Sequence, residues 1–431
     1  MDPAAPPATS SPPGDHRLWP VATVMATGIF ATTFVQLQGL GYLPFNHLLK
    51  QMGMNSDQAA TFFSLTMLPW TFKAVAGLLV DGVPLFGSRR RAYLLCSALA
   101  AAVLWLLMGF WPGNYSLLFA LAIGMNVAIV FGSTTSGGLL VEAGQRFGAS
   151  GRLSSLRVFA QNLGAALGLP VGGLLAGHAL GWTSAAALFP LGCLFFGAWF
   201  LLKEPPLPPQ PDHGRSLVEQ FLHVLRSIWL QIKNVLRREM LLPALLMFFL
   251  QAAPTFRSTC FYQYQTGPLH YSDAALGWLG LVGYGVALLS SGVYAWCCRK
   301  LSLRTSLYAA ILLTALSALP YLFYAVYTPY MLRASVIEGT GYFLLYLAYL
   351  PLMDLAVRCT PKGSEALGYS VFISVWNIGL MIGTKAGPML YERWLQQDMN
   401  RLIWLNAGVT LAGVVLVFLI PKTLVAQREG K

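Results

Sequence analysis

From Trp19 onward the chain alternates long apolar stretches with short turns in which glycine, proline and charged residues collect. A bilayer core about 30 Å thick takes roughly 20 apolar residues per helix. Segments of that kind start near Trp19, Asp57, Tyr93, Ser116, Leu153, Gly181, Met240, Ala274, Leu303, Tyr330, Ala366 and Leu402. The pattern predicts an all-α integral membrane protein with twelve transmembrane helices. It changes character once, between Leu202 and Met240. There "KEPPLPPQPDHGRS" is a polar, proline-rich linker that cannot continue a helix. The following "LVEQFLHVLRSIWLQIKNVLRRE" spaces its apolar residues as a basic amphipathic helix does, lying on the inner membrane surface. The expected organisation is therefore a disordered tail over 1–18, a six-helix bundle over 19–202, a cytoplasmic linker with an amphipathic helix over 203–239, a second six-helix bundle over 240–421 and a cytoplasmic tail over 422–431. Two such bundles, each containing smaller repeats, are a transporter plan.

Composition agrees: 56% hydrophobic and 10% charged residues exclude an ordinary soluble domain, in which about 25% are charged. A net charge of +12 raises the question of nucleic acid, and its placement answers it. Arg89, Arg90 and Arg91, then Arg146, Arg152 and Arg157, then Arg299, Lys300 and Arg304 fall in alternate loops. That asymmetry follows the positive-inside rule and places both termini in the cytoplasm, with a plasma membrane (an inner membrane in a bacterium) as the expected location. Met1 to His16 lack the basic start and cleavage site of a signal peptide. The six cysteines have no paired metal-ligand spacing and are assigned to packing, and the histidines form no HExxH. No metal, cofactor or enzymatic chemistry is expected.

Charges inside apolar segments are costly, face a cavity and are functional candidates. Four cations stand there: Lys73, Arg257, Arg333 and Lys385. Glu338 is the one acid placed in the interior, so the balance calls for an anionic small molecule as cargo. Trp70, Phe72, Tyr262, Tyr264, Tyr342 and Trp376 offer flat apolar faces beside these charges, although each serves packing equally well. Asn126 and Asn377 add hydrogen-bonding capacity. Glu338 is the candidate for proton coupling, because a carboxyl balanced between desolvation and a nearby cation can load and release a proton. Asp354 and Arg358 have the i,i+4 spacing of a helix-surface pair and are read as structural or gate residues.

The stretch "GLLVDGVPLFGSRRRAYLL" places Asp81 at the inner end of the second helix and Arg89, Arg90 and Arg91 just beyond a Gly-Pro turn. With Glu142 near the inner end of the fourth helix, these residues are expected to form a cytoplasmic gate that clamps neighbouring helices in one conformation. The longer context "LPWTFKAVAGLLVDGVPLFGSRRRAYLL" resembles the signature of the folate-biopterin transporter family within the major facilitator superfamily. A second block, "CTPKGSEALGYSVFISVWNIGLMIGTKAGPML", is similar to that family's helix-eleven region, with Glu365, Ser374, Asn377 and Gly387 in place. The fourth helix departs from the family, carrying Asn126 where membrane acids are usual; Arg257 and Lys385 are particular to this chain. The resemblance implies a secondary transporter working by alternating access on a folate, pterin or similar organic anion, with protons as partner and a monomer as the unit. Alternatives are a muropeptide or acyl-carrier permease, whose helix-two acid and GxRR-like turn are similar, and a non-transporting membrane sensor of the same fold.

Overall fold

Backbone N–H and C=O groups in hydrocarbon have no water to bond, so each apolar segment satisfies them internally as a helix. The computed structural model describes residues 18–54, 56–204, 229–235, 237–257, 260–261, 264–265, 268–271, 273–324, 331–421 and 425–426. The tail before residue 18, linker residues 205–228, Tyr262 and most of the C-terminal tail lie outside the described residues; within the linker, 229–235 are helical.

The first half comprises α1 (Leu18–Phe34), α2 (Tyr42–Gln51), α3 (Ser56–Thr66), α4 (Leu68–Thr71), α5 (Lys73–Gly82), α6 (Arg91–Phe110), α7 (Tyr115–Arg146), α8 (Ser150–Leu175) and α9 (Leu180–Leu201). The second comprises α10 (Arg238–Thr255), α11 (Asp273–Cys297), α12 (Leu303–Ala318), α13 (Met331–Cys359), α14 (Glu365–Arg393), α15 (Met399–Ala412) and α16 (Val414–Leu419). Among the described residues nine helices are long and apolar enough to cross a membrane, and Leu18–Phe34 and Glu239–Thr255 are shorter apolar helices. The remaining segment is the broken run α3 to α5. Pro69 sits in the first turn of α4 and lacks the N–H that would continue α3. The chain leaves helical geometry again at Phe72 (φ −96°, ψ 20°), so Lys73 opens α5.

Within the first half α1 packs on α7, α8 and α9, and α6 lies against α7 and α9; within the second α11 packs on α13, α10 on α14, and α12 on α13 and α15. The halves meet where α14 crosses α5 and α7, and where α11 and α13 lie on α8. Lipid tails are as apolar as leucine, so close packing through small residues holds such helices together. Gly77 is the clearest case: a Cβ there would stand 2.7 Å from the Ala366 carbonyl oxygen and 2.8 Å from the Leu367 Cα. The outer face exposes Leu99, Val103, Phe189, Phe196, Leu289 and Trp296, as a lipid-facing surface requires.

Candidate functional site

A cavity of about 490 Å³ lies between α8, α10, α11, α13 and α14. Its aromatic wall comes largely from α13, where Tyr342, Tyr346 and Tyr349 follow at i, i+4 and i+7 and so share one face. Tyr342 and Tyr346 stack with centroids 6.2 Å apart, and Tyr349 lies 4.5 Å from Trp376 of α14. Tyr321, from the 3-10 turn Leu319–Phe323, links the two charged residues of the cavity. Its hydroxyl donates to Glu338 Oε2 at 2.6 Å, and the Arg257 guanidinium carbon lies 3.5 Å from its ring centroid. Gln265 donates to Glu338 Oε1 at 3.3 Å and to the Tyr324 hydroxyl at 2.8 Å. Glu338 is thus held by neutral donors. Among the described residues the buried Nε of Arg257 has no hydrogen-bond partner, and it stands beside a flat aromatic cage.

The first half contributes a second polar cluster. Lys73 donates to the Ser133 hydroxyl at 2.8 Å and lies 5.3 Å from the Trp70 ring centroid, and the Trp70 Nε1 donates to Asn126 Oδ1 at 3.0 Å. Lys73, Trp70 and Asn126 are therefore brought together, and none of them is in the lining of that cavity. Other candidates stand elsewhere. Lys385 and Arg333 are exposed, and Asn377 is half-buried outside the lining. Helix geometry explains this correction: Lys385 lies nine residues beyond Trp376, about two and a half turns, and so points to the opposite face of α14. Arg333 precedes Glu338 by five residues and is rotated away from it in the same manner.

Arg157 is displaced in the other direction. Assigned by sequence to a loop, it stands two turns inside α8, 6% exposed, because the loop before α8 is only three residues long. Its Nη1 donates to the Tyr349 hydroxyl at 3.2 Å and approaches Met353 Sδ at 3.6 Å, and its guanidinium carbon lies 5.5 Å from the Tyr369 ring centroid.

At the arginine-rich end the halves are tied together. Arg90 Nη1 meets Asp81 Oδ1 at 2.8 Å, Arg90 Nη2 meets Glu365 at 3.4 Å, and Arg90 Nε lies 3.7 Å from the half-exposed Glu142. Asp81 also accepts the Leu367 backbone N–H at 2.8 Å, so α5 and the start of α14 share one charge network. Arg89 reaches Glu365 at 3.5 Å and the Gly363 carbonyl at 3.2 Å. Arg91 turns outward instead, with its Nη2 on the Trp199 carbonyl at 2.9 Å. The turn Leu85–Ser88 makes this possible. Both central residues are left-handed, Phe86 at φ 51° and Gly87 at φ 72°, which reverses the chain within four residues. Glu204 then accepts from the backbone N–H groups of Arg89, Arg90 and Arg91 at 2.8, 2.7 and 2.6 Å, and from the Ser88 hydroxyl at 2.9 Å. Sequence reading missed Glu204, which looked like part of a linker. A second tie joins Arg358 to Asp354 at 2.9 Å and to Ser150 at 3.1 Å, with Tyr294 donating to Asp354 at 3.0 Å. The cavity begins on α13 at Tyr349, about 13 Å from Arg358 along the helix, and extends away from this end to Glu338.

The chain was compared with known proteins. A family model described as the BT1 family matches residues 38–431. A folate-biopterin transporter of Synechocystis sp. is 28% identical over 388 residues, covering 85% of this chain and 74% of its own. Probable folate-biopterin transporter 4 of Arabidopsis thaliana is 23% identical, covering 88% and 91%, and folate transporter 1 of Plasmodium falciparum is 22% identical, covering 75% and 63%. Among solved structures, the major facilitator superfamily proton:xylose symporter XylE bound to 6-bromo-6-deoxy-D-glucose aligns with a TM-score of 0.68 over 94% of this chain and 96% of its own. At 13% identity that likeness concerns the fold alone. The family match over residues 38–431 and the apolar helices lead to one conclusion: the chain belongs to the BT1 family, shares its fold with a major facilitator superfamily symporter, and is a multi-pass membrane transporter.

Proposed function

We propose that this transporter carries a folate, a pterin or a similar organic anion by alternating access, with proton movement coupled through Glu338. The observation that carries the reading is the cavity itself. It sets one guanidinium, that of Arg257, whose Nε lacks a partner among the described residues, beside one carboxyl held by Tyr321 and Gln265, inside walls of Tyr284, Tyr342, Tyr346, Tyr349 and Trp376. A flat heteroaromatic ring matches the walls by stacking, and a carboxylate matches Arg257 by charge-assisted hydrogen bonds. The names of the relatives point to the same cargo class.

In this reading the arginine-rich end faces the cytoplasm, the membrane is the plasma membrane, the unit is a monomer, and the ties through Asp81, Arg90, Glu365, Asp354 and Arg358 close the inner gate. The halves on either side of the 203–239 linker rock against each other, and breaking those ties opens the cavity inward. Glu338 takes up a proton in one state and releases it in the other. The test is equilibrium binding of folate, a pterin and a neutral sugar to the purified protein. Saturable binding of the first two that is lost in Arg257→Gln supports the reading, and equal indifference to all three contradicts it.

A further inference from the structure

Two cations of the first half stand deep in the helical segments with no carboxylate to answer them. Lys73 is 3% exposed and Arg157 6% exposed. Among the described residues neither pairs with an aspartate or glutamate. Lys73 has the Ser133 hydroxyl, and Arg157 has the Tyr349 hydroxyl and the Met353 sulfur. Such neutral groups orient a cation without neutralising it, and an unneutralised charge in a membrane interior is expensive. Among the described residues the buried Nε of Arg157 has no hydrogen-bond partner, and neither has the Oε1 of Gln161, a residue of the cavity lining one turn further along α8.

Arg157 and the cavity share a side chain. Tyr349 lines the cavity with its ring and holds Arg157 with its hydroxyl. Tyr349, Met353 and Tyr369, which contact Arg157, all belong to α13 and α14 in the second half, whereas Arg157 belongs to the first. Any separation of the halves at the arginine-rich end therefore removes its cover.

We infer that Arg157, with Lys73 beside it, is a second anion subsite behind Tyr349, receiving a carboxylate of a cargo that carries two acid groups. The inference rests on the organic-anion reading above and extends it. Arg257 holds the acid end of the cargo in the present state, and as Tyr349 withdraws Arg157 and Lys73 receive it, one cation for each carboxylate of a two-acid cargo. The alternative role for Arg157 is a plain tie between the halves, which predicts no discrimination by cargo charge.

The experiment is equilibrium binding of two probes to the purified full-length protein: pteroate, with one carboxylate, and folate, with two. Arg157→Gln is expected to weaken folate by about tenfold or more and pteroate by less than about threefold, with Arg157→Lys recovering part of the folate loss. Tyr349→Phe, which releases the guanidinium from its present partner, is expected to leave folate binding equal or tighter. Lys73→Met supplies an independent variant, expected to lower the folate-to-pteroate preference even where Arg157→Gln does not fold. An equal loss for both probes in these variants overturns the assignment and leaves Arg157 as a tie. Binding of neither probe by the unaltered protein overturns the organic-anion reading, and this inference with it.

Discussion

Glu338 and Arg257 share one tyrosine, and this arrangement makes their roles separable. Tyr321→Phe deletes the 2.6 Å donor to Glu338 while keeping the ring that faces Arg257. It is expected to alter the pH dependence of transport while leaving cargo affinity within about fivefold, since one neutral hydrogen bond is worth about 1 kcal/mol. Glu338→Gln removes the proposed proton-loading group entirely. Exchange of labelled for unlabelled cargo should persist in that variant, whereas uphill uptake driven by a pH gradient should vanish; loss of both together would assign Glu338 to cargo binding or folding. Arg257, Glu338, Lys73 and Trp70 were legible in the sequence because charges in apolar runs are conspicuous. Tyr321, Gln265 and Gln161 were not, since tyrosines and amides are ordinary residues until a cavity selects among them. Lys385 and Arg333 stand outside the cavity lining because a place within an apolar run does not fix which face of the helix a charge takes, and Arg157 was read as a loop residue because a three-residue turn lets its helix begin early.

At the scale of elements, the turn between α5 and α6 converts a run of arginines into a latch. Asp81 is fully enclosed with Arg90, so Asp81→Asn leaves a buried guanidinium with weakened compensation, about 3 kcal/mol against the closed end. Hydrogen exchange checks this: the Leu367 amide, which Asp81 accepts, should lose protection, and unchanged protection would mean that the latch does not depend on the charge. Glu204→Ala removes the acceptor of three consecutive backbone N–H groups. Faster exchange at Arg89, Arg90 and Arg91 is expected, together with slower transport at little change in cargo affinity. Gly77→Val would force α5 off the α14 backbone and should favour the state open at the arginine-rich end, read as increased thiol labelling of a cysteine placed at Ala366. Asp81 and the arginines were visible from their spacing. The contribution of Glu204 was hidden because its partners are backbone groups more than 110 residues earlier in the chain, which no local pattern records.

For the whole molecule, hydropathy alone delivered the all-α plan: the length of apolar runs against the thickness of a bilayer leaves few other solutions. It did not deliver which faces of the helices meet. That depends on close approaches such as Gly77 on Ala366 and on ties such as Arg358 to Ser150, which couple segments far apart in sequence. The two halves are joined at the arginine-rich end, and the cavity extends away from it, the arrangement from which the proposed alternating-access cycle starts. Uptake of labelled folate into sealed vesicles containing only this protein, with an imposed pH gradient, tests the central claim most directly. Accumulation above the outside concentration, collapsed by a protonophore and abolished in Glu338→Gln, is the result the account predicts. Binding that saturates without accumulation, or equilibration indifferent to the gradient, would contradict it.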